Sequence, residues 1–248
     1  MRGARQVINR QKVIQEAKNL YKLRLRHAKF ISTLLICQPF VRAVVLNGSL
    51  AKGTSTASSD IDLLIIVKSG RIFTSRFFST FAVWLTGLKR GSGESSVSRG
   101  RFCLNYYLTD GFLIVPHHRG EEMNRYCAES YSASILLAGD RALFDKFLAM
   151  NTQWMSCYLS GKSEMRNSKS ETIFNIQNSR RISNTQYDIF EIKQLLESIL
   201  SSKVGQRVEN YLKRMQLKRI YSDPRTQTYP DLIHADDREM RFHPPKNC

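Results

Sequence analysis

Apolar residues recur at helical spacing from the start of the chain. Val13, Ile14, Ala17, Leu20 and Tyr21 form one stripe with Lys and Arg on the other faces, which predicts an amphipathic helix over residues 7–24. Ala28, Ile31, Leu34 and Leu35 predict a second helix over 27–37, which must stop before Pro39 because the proline ring disfavours helix in the residue preceding it. The period then changes. Val41 to Leu46 is β-branched and apolar and runs into Asn47-Gly48, the pattern of a strand ending in a turn. Ile61 to Val67, broken only by Asp62, is apolar on both faces, as a central strand covered on two sides is.

Ile72 to Leu88 has the length of a short membrane span, but Arg76 and several Ser and Thr residues lie inside it, so the segment reads as a buried or groove-facing helix. Gly91 to Gly100 has the composition of a flexible loop. Phe102 to Leu108 alternates Phe102, Leu104, Tyr106 and Leu108 on one face with Cys103, Asn105 and Tyr107 on the other. Thr109-Asp110-Gly111 then turns the chain into a strand over Phe112 to Val115. Helices are expected over Glu121 to Leu137, Asp140 to Tyr158 and Asp188 to Arg219, the last with Gly205 as a point of interruption. The resulting organisation is basic N-terminal helices over 1–40 packed on a core at 41–120. A helical region follows at 121–220, containing a polar linker at 161–186, and then an irregular tail at 221–248.

Composition narrows the class. With 42% hydrophobic and 24% charged residues over 248 positions, the chain belongs with soluble globular proteins and not with disordered or fibrous ones. Its net charge is +17, and residues 1–30 concentrate Arg2, Arg5, Arg10, Lys12, Lys18, Lys22, Arg24, Arg26 and Lys29 against Glu16 alone. Such a field favours polyanionic partners whatever fold lies beneath it. The 5 cysteines are widely spaced and form no CxxC pair, and the charged N-terminus holds no apolar signal stretch, so reduced thiols and a cytoplasmic location are expected.

The chemistry concentrates in Val44-Val45-Leu46-Asn47-Gly48-Ser49-Leu50-Ala51-Lys52-Gly53 and in Asp60-Ile61-Asp62-Leu63-Leu64-Ile65-Ile66-Val67. Asp60 and Asp62 are two residues apart at the mouth of a strand, so both leave one face about 6.6 Å apart by strand rise. Carboxylates held in this way can share hard divalent cations, which complete their shells with phosphate and water. Gly48-Ser49 lets backbone N–H groups and a hydroxyl approach an anion, because glycine adds no Cβ and serine adds a donor. Lys52 offers a point charge nearby, or is an ordinary surface lysine.

These residues resemble the DNA polymerase β-like nucleotidyltransferase superfamily, whose signature is a strand, Gly-Ser, a short helix and an Asp-x-Asp strand. The run GSLAKGTSTASSDIDLLIIV is similar to the small nucleotidyltransferase-domain proteins, the minimal and aminoglycoside nucleotidyltransferases among them. The resemblance implies an α+β fold, a mixed β-sheet backed by helices with a mainly helical C-terminal part. It also implies transfer of a nucleoside monophosphate from an NTP to an acceptor, with Mg²⁺ or Mn²⁺ in a two-metal mechanism. Asp60 and Asp62 are then the catalytic metal ligands, and Gly48, Ser49 and Lys52 hold the triphosphate. The acceptor stays open among small molecules, RNA and protein.

The superfamily usually carries a third acid on a later strand. By alternation, the residue facing the site there is Asn105, expected as a metal ligand, although an amide cannot accept a proton as a carboxylate does. Asp110 is the nearest acid but falls in the expected turn. Three readings therefore stand: an enzyme; a weak or inactive NTP-binding or RNA/protein-binding regulator on the same fold, of antitoxin-like type; or a nucleic-acid protein whose basic first helix is the working surface. The remaining motifs read as ordinary structure. Phe102, Tyr106 and Tyr107 are expected in the core, and the adjacent His117 and His118 would face opposite ways. The Arg238-x4-His243 spacing sits beside Pro244-Pro245 and does not form a helix.

Overall fold

The computed structural model describes residues 2–89, 100–116, 120–159 and 184–242. The expected polar linker lies largely outside these residues, as do His117, His118, His243 and most of the Gly91 to Gly100 loop. The first two expected helices are one, α1 (Arg2–Ile36), because Leu25 and Arg26 are good helix formers and nothing between the stripes breaks the turn. Ala28, Ile31 and Leu35 of α1 are fully buried. Lys193 caps the end of the helix from a distance, donating to the carbonyls of Ile36 (2.7 Å) and Val41 (2.8 Å).

Six strands form one mixed sheet: β1 (Val41–Asn47), β2 (Ile61–Val67), β3 (Phe102–Thr109), β4 (Ile135–Gly139), β5 (Ile233–Ala235) and β6 (Glu239–Phe242), in the order β4-β1-β2-β3-β6-β5. Only β2 and β3 are parallel; the other neighbours run antiparallel. Between β1 and β2 stands the short helix α2 (Gly48–Lys52). The other helices are α3 (Ile72–Leu85), α4 (Glu121–Ser132), α5 (Arg141–Leu159), α6 (Asn184–Ser201), α7 (Lys203–Tyr221) and α8 (Pro224–Thr228). Helices α1, α3 and α7 contribute to one apolar layer with Val44, Leu46, Leu63, Ile65 and Tyr107. Helices α4 and α5 form the other layer with Val45, Leu64, Ile66, Tyr106 and Leu108. The central strands are thus buried on both faces, as the unbroken apolar run of β2 requires. Among the described residues no helix is long and apolar enough to cross a membrane.

Four expectations change. Residues 135–139, read as the end of a helix, are the edge strand β4. Gly139 there has φ +105° and no room for a Cβ, which would meet the Arg42 carbonyl at 2.2 Å. Phe112 to Val115 forms no strand. The fully buried Asn151 takes the place of a neighbouring strand, accepting from the Val115 N–H (2.8 Å) and donating to the Leu113 carbonyl (2.7 Å). The long C-terminal helix breaks at Ser202 and not at Gly205, which sits in the first turn of α7 pressed against the Leu200 backbone. The expected irregular tail contains α8 and the β5-β6 hairpin, which completes the sheet beyond β3.

Two carboxylates from the C-terminal helices brace the core strands. Glu209 of α7 is buried and accepts from the N–H groups of Phe73 (3.0 Å) and Thr74 (2.8 Å), capping the exposed donors at the start of α3. Glu197 of α6 accepts from the Phe40 N–H (2.7 Å) and forms a two-pronged pair with Arg42 (2.9 and 2.8 Å). Phe40 takes φ +65°, unusual for a bulky side chain, and its N–H is held there by that carboxylate.

Candidate active site

The site forms where β1 ends and β2 begins. Asn47 and Asp62 are partners in the antiparallel register, so the turn after β1 lies directly over the mouth of β2. Gly48 opens α2 with φ +69°, and its N–H donates to Ser130 Oγ of α4 (3.1 Å). A Cβ on Gly48 would stand 2.3 Å from Asp62 Oδ2, so only glycine permits this approach of backbone to carboxylate. Gly53 then ends α2 in the left-handed conformation. Ser49 Oγ, next in the chain to Gly48, is buried with no hydrogen-bond partner among the described residues.

The loop from Gly53 to Ser59 is held from below by Arg24 of α1. This arginine is buried, and its guanidinium donates to the carbonyls of Thr56 and Ala57, the latter at 2.7 Å. Burial pulls the Arg24 pKa down, and the Asp60 charge opposes that shift. Backbone bonds finish the support. Ile61 N donates to the Arg101 carbonyl (2.9 Å) and Gly100 N to the Ser59 carbonyl (3.2 Å), which fixes the chain on both sides of the buried Asp60.

Asp60, Asp62 and Cys103 each offer one ligand atom within 4.8 Å of the others, closer than strand rise alone suggests for the carboxylates. Cys103 comes from β3, where it is the register partner of Asp62. The register shifts between Asp62 and Leu64, which places Leu104 and Asn105 of β3 against Leu63 alone of β2. The simple alternation expected for β3 therefore fails. Leu104 and Tyr107 pack in one layer and Tyr106 in the other, while Asn105 reaches Asp62, its Nδ2 donating to Oδ1 at 3.0 Å. Phe102, Tyr106 and Tyr107 are core residues, as expected. Asp110 lies at the opposite end of β3, where its Oδ1 accepts from the N–H (2.9 Å) and Oγ (2.6 Å) of Ser69.

Helix α4 forms the far wall. Lys52 ends α2 with its ammonium 3.6 Å from Glu129 and 5.0 Å above the Tyr126 ring. The Tyr126 phenol is pushed up to about 12, chiefly by burial and further by the charges of Asp62, Cys127 and Asp60. Sequence reasoning brought Gly48, Ser49, Lys52, Asp60, Asp62 and Asn105 into one region. It missed Arg24, which a run of nine basic residues hides, and Tyr126 and Ser130, which no motif marks. Cys103 had a signal in its alternation with Asn105.

Residues 26–95 match the family model described as the nucleotidyltransferase domain. No curated protein and no solved structure matches the chain. The matched span covers the end of α1, β1, α2, β2 and α3, and with the six-stranded mixed sheet it bears out the polymerase β-like resemblance read from Gly48-Ser49 and Asp60-Ile61-Asp62.

Proposed function

We propose that this nucleotidyltransferase domain binds a nucleoside triphosphate between α2 and the Asp60/Asp62 pair and transfers its nucleoside monophosphate to an acceptor, releasing pyrophosphate. The observation that carries the reading is the buried Ser49 Oγ, without a hydrogen-bond partner among the described residues and next in the chain to the glycine whose backbone lies against Asp62 of the Asp60/Asp62 pair. A buried hydroxyl without a partner costs about 1–3 kcal/mol, which a phosphate oxygen would relieve.

In this reading Gly48 and Ser49 hold the triphosphate, and Lys52 adds positive charge by turning from Glu129. Asp60 and Asp62 hold divalent metal. Asn105 steadies Asp62 through its amide N–H. The bound ions supply charge stabilisation to the attacking and leaving oxygens. The acceptor hydroxyl oxygen forms the new bond to the α-phosphorus as the bond to the pyrophosphate oxygen breaks, with pyrophosphate leaving and the hydroxyl proton passing to solvent. Arg24 acts as a positioning residue by fixing the loop that presents Asp60.

A second reading rests on one observation: among the described residues, the third member of the Asp60/Asp62 group is a thiol and not a carboxylate. On that reading the same cradle binds NTP as a regulator without turning it over. Pyrophosphate release separates the two. Wild type supplied with each NTP, divalent metal and pools of small-molecule, RNA and protein acceptors is expected to release pyrophosphate, and Asp60→Asn/Asp62→Asn is not. NTP binding with no release from any pool would favour the regulator.

A further inference from the structure

We propose that Cys103 is the third protein ligand of the metal site and shifts its preference from Mg²⁺ toward sulfur-tolerant transition ions of the Zn²⁺ and Co²⁺ kind. The inference rests on the reading above, in which Asp60 and Asp62 hold metal. Its geometric basis is independent of the family: Asp60, Asp62 and Cys103 present ligand atoms within 4.8 Å of one another. Tetrahedral donors around Zn²⁺, with Zn–S near 2.3 Å and Zn–O near 2.0–2.2 Å, stand about 3.4–3.7 Å apart, so a small contraction closes the set. No backbone movement is needed to bring the thiol in, because Cys103 is already paired with Asp62 across the parallel ladder.

Neighbouring contacts hold the arrangement. Asn105 fixes Asp62 Oδ1 through its amide N–H, and the Gly48 backbone lies against Oδ2. Cys103 is the register partner of Asp62 and Asn105 bonds to it, so both residues of β3 meet the same carboxylate. Asp110, the acid that sequence reasoning offered as an alternative, is committed to Ser69 at the other end of the strand.

Ligand chemistry then decides the ion. Mg²⁺ is hard, takes oxygen donors at 2.0–2.1 Å and demands near-octahedral geometry, so a thiolate is a poor ligand for it. Thiolate with two carboxylates suits a borderline ion, and three protein ligands leave positions open for phosphate oxygens, the layout of a catalytic site and not of a closed structural one.

The test is a cobalt titration of the full chain read by absorbance, with competition by Zn²⁺ and Mg²⁺ and no turnover required. Wild type is expected to show a thiolate-to-cobalt charge-transfer band that Cys103→Ser abolishes. Cobalt and zinc affinity should fall by more than the roughly tenfold that loss of even an outer-shell partner costs, with Mg²⁺ affinity unchanged. Cys103→Asp should also lose the band but gain Mg²⁺ affinity, and circular dichroism confirms that each variant is folded. No band in wild type, or a band that survives Cys103→Ser, overturns the proposal. NTP binding supported by Mg²⁺ as well as by Co²⁺, without the band, overturns the Cys103 assignment and leaves the nucleotidyltransferase reading standing. A Cys103-dependent band with no NTP binding in any metal supports the assignment and removes that reading.

Discussion

The backbone of Gly48 lies against the carboxylate of Asp62, so close that a Cβ at position 48 would meet Oδ2 at 2.3 Å. The turn proposed to cradle the phosphates and the carboxylate proposed to hold metal are therefore one construction. Gly48→Ala carries both that overlap and a left-handed backbone, φ +69°, which alone costs about 1–3 kcal/mol. We expect it to lower the thermal midpoint and to weaken NTP binding at least tenfold. Calorimetry and thermal unfolding check both, and wild-type affinity in Gly48→Ala would show that Asp62 does not depend on this contact.

Among the described residues, Arg24 supplies the side-chain bonds to the Thr56 and Ala57 carbonyls. Arg24→Met removes the guanidinium while keeping length, leaving two carbonyls to find water. The expected loss is about 1–3 kcal/mol in urea unfolding together with weaker metal binding, because the loop presents Asp60. Arg24→Lys should recover part of the stability, since an ammonium lacks the fork that spans both acceptors. Unchanged metal affinity in a folded Arg24→Met would remove its positioning role.

Glu209 caps α3 from another helix, and its effect should be confined to stability. Glu209→Gln replaces charge-assisted bonds to the Phe73 and Thr74 N–H groups with neutral ones and leaves its own amide donors buried. A loss of about 1.5–3 kcal/mol is expected, with metal and nucleotide affinity preserved in the folded protein. Chemical denaturation and metal titration of the same sample read the two effects separately.

Acid stability should depend on Glu197. Burial alone would push its carboxyl up, but the Arg42 side chain, the Phe40 N–H and the charges of Arg42 and Lys193 outweigh it and hold the pKa below the ordinary 4.5. A carboxylate depressed in the folded state contributes stability above its unfolded pKa, and that contribution is lost as pH falls through the folded value. Wild type should therefore lose stability below about pH 4.5. Glu197→Gln should start less stable at neutral pH and show a shallower acid loss, which denaturation midpoints across pH will reveal.

Sequence made the centre of this protein legible and its edges hard to read. Strand β2 runs from Ile61 to Val67, where the apolar run stands, because a run of 7 residues rich in Ile and Val has the length and β-branched content of a buried strand. The Gly48-Ser49 turn was legible for a similar reason, since its chemistry is local. β4 was not, because five apolar residues after a helix look like more helix until a neighbour pairs with them. The β5-β6 hairpin hid behind Glu239 and Arg241, whose charges suggest surface but which pair with each other in the interior at 2.9 Å. Tyr106 donates to the same glutamate at 2.9 Å. The register shift beside Cys103 and Asn105 leaves no mark in the periodicity, although alternation alone already puts the two on one face.

The central claim is that α2 and the Asp60/Asp62 pair form a metal-dependent nucleotide site. Calorimetric titration of each NTP into wild type and Asp60→Asn/Asp62→Asn, in the presence of Mg²⁺, Mn²⁺ or Co²⁺ and in their absence, tests it most directly. The account predicts saturable binding of at least one NTP by wild type that requires metal and disappears in the double variant. Absence of binding by wild type under every metal, or equal binding by a folded double variant, would contradict it.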